Sequence, residues 1–484
     1  MLLKMARLIM EDKGRPTMAK TTIEQKEKNT RHALFVITIV ALMSFFGVLT
    51  ETSMNVTFPT LMHDFHVSLT TVQWVTSGYL LAAALVMLSS AYMKRRFTNR
   101  QLFITAALLF IIGDLMCALA PVFWVLLLGR LVQAGCVGLC GPLMVNIILD
   151  TVPTSKLGTY MGIANLIILI GPALGPTFGG AIANFFDWRM IFWSTLPFAT
   201  LLLILGQGRI KQYTPTSAFA FDWLRFVALG VALISLTVAL NGVSEHTWLI
   251  AGVAGAVVLV AMGAFLWLSN HHAKALFKLD VFHDGGFLYS FLPYILMQFS
   301  NVGINFLLPN YVQTVDGASA FVGGLILLPG SVFNGLGQPV YGWMLDHFGG
   351  RLPLLLGNSL FTVGMLGFTI WGQHIGVLGV TILYLIFAIG RSMAFGNSTA
   401  YGLKVMAHQY QSDANALYST GQQVTGSIGT TVLAGMMTAV TVPGLTHAQN
   451  VGIGSQLAFA LLLLIGLINF GFYARLFKLT KAKA

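Results

Sequence analysis

Residues 158–184 read GTYMGIANLIILIGPALGPTFGGAIAN, and not one of these 27 residues is charged. A helix needs roughly 20 apolar residues to cross about 30 Å of hydrocarbon. Lipid admits only helices or closed barrels, because unpaired backbone groups cost too much there. The run is long and continuous, so it predicts a spanning helix. Within it, Gly171, Gly175 and Gly179 recur at four-residue intervals and form a groove that a second helix backbone can approach closely. Pro172 and Pro176 remove backbone donors and bend the helix. Taken alone, tight helix packing explains these residues as well as any function does.

Runs of the same kind fill most of the chain. Of its 484 residues, 56% are hydrophobic and 9% charged, with a mean hydropathy of +0.78. Ordinary soluble domains carry about 25% charged residues, so hydrocarbon is the solvent here. Fourteen spans are predicted: 34–60, 71–93, 101–120, 122–148, 158–184, 188–207, 222–243, 247–269, 286–312, 318–345, 352–372, 374–399, 412–440 and 454–477.

Charge tests that count. Short cytoplasmic loops carry an excess of Lys and Arg. With the N-terminus inside, the inner loops hold Lys94, Arg95, Arg96 and Arg100, then Lys156, Arg209, Lys211, Lys274, Lys278, Arg351 and Lys404, and the tail holds Arg475, Lys478, Lys481 and Lys483. The outer loops hold Arg189 against Asp64, Asp187, Glu245 and Asp316. One missed or invented span would invert every later loop. The reading is therefore a multi-pass plasma-membrane protein with both termini cytoplasmic. The net charge of +11 follows from these loops and from eight Lys/Arg in the first 31 residues, and nucleic acid is not an expected partner.

The predicted organisation is all-α. A cytoplasmic tail (1–31, not a signal peptide) precedes a six-helix half (32–210). A central two-helix insertion (211–285), a second six-helix half (286–477) and a short cytoplasmic tail (478–484) follow. Cys117, Cys136 and Cys140 lie inside apolar runs and form neither a disulfide framework nor a metal site. His271-His272 reads as a solvated loop. No cofactor is expected. No HExxH motif or nucleotide loop appears, which argues against an enzyme or an ATP-driven pump.

Several patterns then converge. Span four carries Arg130-Leu131-Val132-Gln133-Ala134-Gly135-Cys136-Val137-Gly138. An arginine at mid-membrane costs at least ~2.5–3.5 kcal/mol and needs a partner or a wet cavity. Between spans ten and eleven lies Gly342-Trp343-Met344-Leu345-Asp346-His347-Phe348-Gly349-Gly350-Arg351, a tight turn whose charges can hold helix ends. Span two opens with Val72-Gln73-Trp74-Val75-Thr76-Ser77-Gly78-Tyr79-Leu80-Leu81.

In this order the patterns resemble the major facilitator superfamily, and within it the fourteen-span drug:proton antiporters. GPxxGPxxGG is matched at Gly171, Pro172, Gly175, Pro176, Gly179 and Gly180. The gating-loop signature is matched at Gly342, Asp346, Gly349 and Arg351, with Met344 in place of leucine. RxxQGxG is matched at Arg130 and Gln133, but Ala134 displaces the glycines. Trp188-Arg189 and the segment Asn415 through Gly429 also look like this family. The sequence departs in the first gating loop, Ala91-Tyr92-Met93-Lys94-Arg95-Arg96-Phe97-Thr98-Asn99-Arg100, where a basic residue stands at the family's usual Asp, and at span one, where Thr50 stands at an expected acid and Glu51 follows it. The resemblance covers roughly residues 33–477. It implies two pseudo-symmetric six-helix halves around a central cavity, with alternating access.

A proton-driven exporter needs an ionisable group whose protonation changes during the cycle. Burial favours a neutral carboxyl and a nearby arginine favours the charged form. Glu51 is the expected proton carrier, with Arg130 as modulator and Asp114 as the second candidate; a structural acid–Arg130 pair is the competing reading. Asp150 reads as an interfacial helix-end acid. Asn55, Gln73, Gln133, Asn301, Asn305 and Arg391 are the expected cavity residues, with Gln298 near the two asparagines. The expected partners are a small-molecule substrate, protons and the lipid bilayer; a monomer suffices for this scheme. The expected function is export of lipophilic or cationic drug-like molecules in exchange for protons. The alternative on the same scaffold is a dedicated exporter or facilitator of one metabolite, lipid or siderophore, because fold does not fix substrate.

Overall fold

The computed structural model describes residues 15–152, 157–212, 216, 221–244, 247–271, 279–373, 375–406 and 411–483. Lys156, Glu245, His272, Lys274, Lys278 and the first 14 residues of the expected tail lie outside these. The described residues form helices and connecting segments, with no strand among them.

The first set of helices is α1 (Arg15–Met54), α2 (Phe58–Phe65), α3 (Leu69–Val72), α4 (Trp74–Leu88), α5 (Ser90–Arg96), α6 (Asn99–Ala118), α7 (Phe123–Thr151), α8 (Leu157–Phe185) and α9 (Met190–Gln207). The hairpin α10 (Trp223–Ser244) and α11 (Trp248–His271) follows. The last set is α12 (Gly285–Thr314), α13 (Ala320–Leu325), α14 (Leu328–Phe348), α15 (Arg351–Trp371), α16 (Gly376–Val405), α17 (Gln411–Thr438) and α18 (His447–Lys483).

Helix α1 already runs from Arg15, well ahead of the expected start of span one, and it ends at Met54. The expected span 34–60 is therefore interrupted, and Pro59 sits in the first turn of a new short helix, where a missing N–H costs nothing. Span two is likewise built from three helical pieces, α3, α4 and α5, and span ten from two, α13 and α14. Ser68 and Ser319 cap the first pieces, accepting from the amides of Thr71 and Val322.

Thirteen helical segments among the described residues are long and apolar enough to cross a membrane. Helix α17 is long enough at 28 residues but is not among them. Its Gln, Ser, Thr and Gly content lowers its hydropathy. Protein surrounds it in place of lipid: it packs on α4, α10, α12 and α18.

The same neighbour pattern recurs in the two sets. Helix α1 packs on α7, α8 and α9, as α12 packs on α16, α17 and α18. Helix α7 packs on α4 and α6, as α16 packs on α14 and α15. The hairpin helix α10 lies along α17 and α4, where Leu229, Leu233 and Phe265 cover Leu81.

Among the described residues, the largest apolar core shared by the two sets lies at one end. Consecutive spans alternate in direction, so one end of the bundle carries the chain termini and the other is remote from them. At the remote end a single apolar core draws on both sets, joining Phe58, Val72 and Trp188 to Phe306, Ile326 and Phe459. At the terminal end the cores are separate. Val36, Phe103 and Ile148 belong to the first, Phe287, Leu417 and Tyr418 to the second.

Glycine makes the shared end possible. A Cβ on Gly179 would collide with the Ser53 backbone of α1, and one on Gly180 with the Ala320 carbonyl of α13. One on Gly324 would collide with the Pro176 carbonyl. Helix α8 thus uses one glycine face against its own set and another against the opposite set. Ser53 Oγ donates to the Gly175 carbonyl (2.9 Å), one of the carbonyls near Pro176.

Candidate functional site

Three residues picked from the sequence form a chain in the first set. Arg130 Nη1 donates to Gln133 Oε1, and Gln133 Nε2 donates to Asp114 Oδ1. Thr195 Oγ1 of α9 donates to Asp114 Oδ2 (2.9 Å). All four side chains are buried. Arg130 and Gln133 are three residues apart on α7, so they share a helix face. Arg130 does not pair directly with either acid; Gln133 intervenes toward Asp114. The guanidinium lies 4.2 Å from the Tyr79 ring centroid, and its Nε donates to the Val75 carbonyl (3.4 Å). Tyr79 in turn donates to the Gly47 carbonyl of α1 (3.0 Å). The chain therefore ties together α1, α4, α6, α7 and α9.

Glu51 sits beside this chain but outside it. Its side chain is 8% exposed and makes no hydrogen bond or ion pair among the described residues, while Arg130 is the cation acting on it. Asp114 is thus held at both oxygens, and Glu51 at neither.

The other expected cavity residues divide. Asn55, Gln73 and Gln133 are committed within the protein. Asn55 Oδ1 accepts from Thr76 (2.7 Å), and its carbonyl accepts from Asn310 of α12 (3.3 Å). Gln73 donates to Asn241 of the hairpin (3.0 Å) and accepts from Thr431 of α17 (3.2 Å). Asn305 accepts from Tyr384 (2.9 Å). Asn301 and Gln298 make no side-chain hydrogen bond among the described residues. Arg391 lies at the sixteenth position of the 30-residue helix α16, near its middle.

The gating-loop residues lie at the terminal end. Gly349 adopts φ +70°, which glycine takes without strain. Asp346 and Arg351 are exposed and make no ion pair with each other. In the departing first-set loop, Lys94 reaches Asp150 of α7 (3.9 Å), giving that helix-end acid a partner. At the remote end Trp188 Nε1 donates to Asp64 (3.0 Å), and Arg189 stacks on Trp188 at 4.3 Å.

Tyr79 and Thr195 were not singled out from sequence. Tyr79 lies in the quoted span-two stretch, but nothing there marks it as the platform for Arg130. Thr195 is one hydroxyl in an apolar run and carries no signal.

A helical bundle in two like sets, with thirteen segments long and apolar enough to cross a membrane among the described residues, is the architecture of a multi-pass membrane protein. Comparison with known proteins makes this specific. The Major Facilitator Superfamily profile matches residues 40–430, and the chain belongs to that family. It is 30% identical over 454 residues to the uncharacterized MFS-type transporter YcnB of Bacillus subtilis strain 168, covering 93% of this chain and 96% of that one. It is 32% identical over 419 residues to the lincomycin resistance protein LmrB of Listeria innocua, covering 86% and 89%. A POT family transporter, crystallised with a thioalcohol-conjugated peptide, superposes with a TM-score of 0.66 at 16% identity, covering 91% and 96%. That last likeness concerns the fold alone.

Proposed function

We propose that this chain exports lipophilic or cationic drug-like molecules in exchange for protons, by alternating access. One observation carries the coupling role: Glu51 is buried and, among the described residues, neither of its carboxyl oxygens has a hydrogen-bond partner. A carboxylate in that position can gain and lose a proton without dismantling a structural network. Asp114, bonded at both oxygens, serves instead to orient Gln133 and so Arg130. Proton binding at Glu51 removes its attraction to Arg130 and biases the helices that the Arg130 chain links. One proton crossing 100 mV brings about 2.3 kcal/mol, before any pH gradient.

We read α17 as the span that completes the fourteen, thirteenth in chain order, and the repeated neighbour pattern as the two pseudo-symmetric halves. Loop charge argues that the termini are cytoplasmic. With that orientation, the separated cores at the terminal end correspond to a cytoplasm-open state, ready to load substrate from inside. The resistance relatives support a drug-like cargo.

The test is efflux of ethidium, a lipophilic cation, from cells expressing wild type or Glu51→Gln, with and without an uncoupler. Uncoupler-sensitive efflux by wild type that falls to background in a normally expressed Glu51→Gln supports the reading. Efflux that persists in Glu51→Gln transfers the proton role away from this residue. No ethidium efflux by wild type counts against the drug-export reading itself.

A further inference from the structure

Each set buries one arginine within a spanning helix, and only one of these is answered. Arg130 reaches Asp114 through Gln133. Arg391 of α16 reaches no acid. It is 5% exposed, makes no hydrogen bond among the described residues, and its Nε is enclosed without a partner. The two Nη atoms are not fully enclosed.

The surroundings of Arg391 are shaped but neutral. Its guanidinium lies 5.0 Å from the ring of Phe395, which stacks on Tyr294 of α12 at 4.2 Å. The Tyr294 hydroxyl donates to Gln422 (2.8 Å), and that of Tyr384, seven residues before Arg391 on α16, donates to Asn305 (2.9 Å). Gln338 and Asn334 of α14 are bonded to Ser392. The acids of residues 279–483 are Asp280, Asp284, Asp316, Asp346 and Asp413. Each lies in a connecting segment or within a few residues of a helix end, and none is near the depth of Arg391.

A buried arginine is costly in a membrane and is ordinarily paired or set in a watery cavity. Its planar fork matches a carboxylate in a bidentate fashion. Aromatic walls beside it suit a flat apolar body. We propose that Arg391 is a binding site for an anionic oxygen group, foremost a carboxylate, on an aromatic small molecule whose flat body lies against the Tyr294–Phe395 stack. This rests on the transport reading above and narrows it: the cargo includes molecules that carry an acid on a greasy frame, not only lipophilic cations.

The test uses purified full-length protein and two dyes differing only at one group, rhodamine 110 with its free carboxylate and rhodamine 123, its methyl ester. Binding is followed by fluorescence polarisation. The expected result is that Arg391→Gln lowers the acid-over-ester affinity ratio at least ~10-fold, about 1.4 kcal/mol. Arg391→Lys, which keeps the charge but loses the fork, should give an intermediate ratio, and it serves if the Gln variant does not fold. An unchanged ratio in both variants, including a parallel fall for both dyes, overturns the proposal. So does failure of wild type to bind either dye. Displacement of rhodamine 110 by phosphatidylglycerol but not by phosphatidylcholine would assign the site to a lipid headgroup and overturn the small-molecule reading. Ethidium carries no acid, so its uncoupler-sensitive efflux reports on the transport reading independently of this result.

Discussion

Two buried acids one helix apart have opposite surroundings, and their variants should separate accordingly. Asp114→Asn weakens acceptance from Gln133 and Thr195 and removes the only acid bonded into the Arg130 chain. Leaving a buried hydrogen-bonding group poorly satisfied costs about 1–3 kcal/mol, more beside a charge. The purified variant is expected to unfold well below wild type in a thermal scan. Glu51→Gln breaks no hydrogen bond and should unfold within ~1 kcal/mol of wild type, as a substitution away from any network does, while abolishing uncoupler-sensitive efflux. Equal destabilisation by both would mean that Glu51 is structural as well. Glu51, Asp114 and Arg130 were legible as residues because charge is rare in these spans. The role of Gln133 as the link between Arg130 and Asp114 was not, because a glutamine's partners depend on which helix faces it.

At the scale of helices, the glycines of α8 and α13 decide where the two sets can touch. Gly324 has no room for a side chain against the Pro176 carbonyl. Gly324→Val should therefore pry open the remote end, with overpacking worth about 1–3 kcal/mol. Asn310, buried at that end, reports it. Maleimide labelling of Asn310→Cys from the non-terminal side is expected to rise about tenfold when Gly324→Val is added, a shift of roughly 1.4 kcal/mol in population. No rise would mean that α13 moves aside without opening the seam. The Gly171–Gly180 spacing announced a close helix contact. It could not say that Gly179 faces α1 while Gly180 faces the opposite set, because a one-residue step turns about 100° around the helix.

For the molecule as a whole, transport by alternating access requires the joined end to part in every cycle. Gln313 of α12 donates to the Val56 carbonyl across the seam (3.2 Å). A cysteine pair at Val56 and Gln313, once cross-linked by oxidation, should hold that end shut and reduce efflux to background, with recovery on adding a reductant. Efflux that continues with the cross-link formed would sink the alternating-access reading.

Composition, run length and loop charge determined by themselves that this is a multi-pass helical membrane protein, because hydrocarbon penalises every exposed polar group whatever the fold. The spaced Gly, Pro, Arg and Asp motifs determined the family, because each serves a local need of one helix or turn. Only the tertiary structure decided which charges are answered. Asp114 meets Arg130 through Gln133, while among the described residues the side chains of Glu51 and Arg391 make no hydrogen bond or ion pair. Those facts depend on how helices distant in sequence are rotated against one another, and long-range packing, not local pattern, sets that rotation.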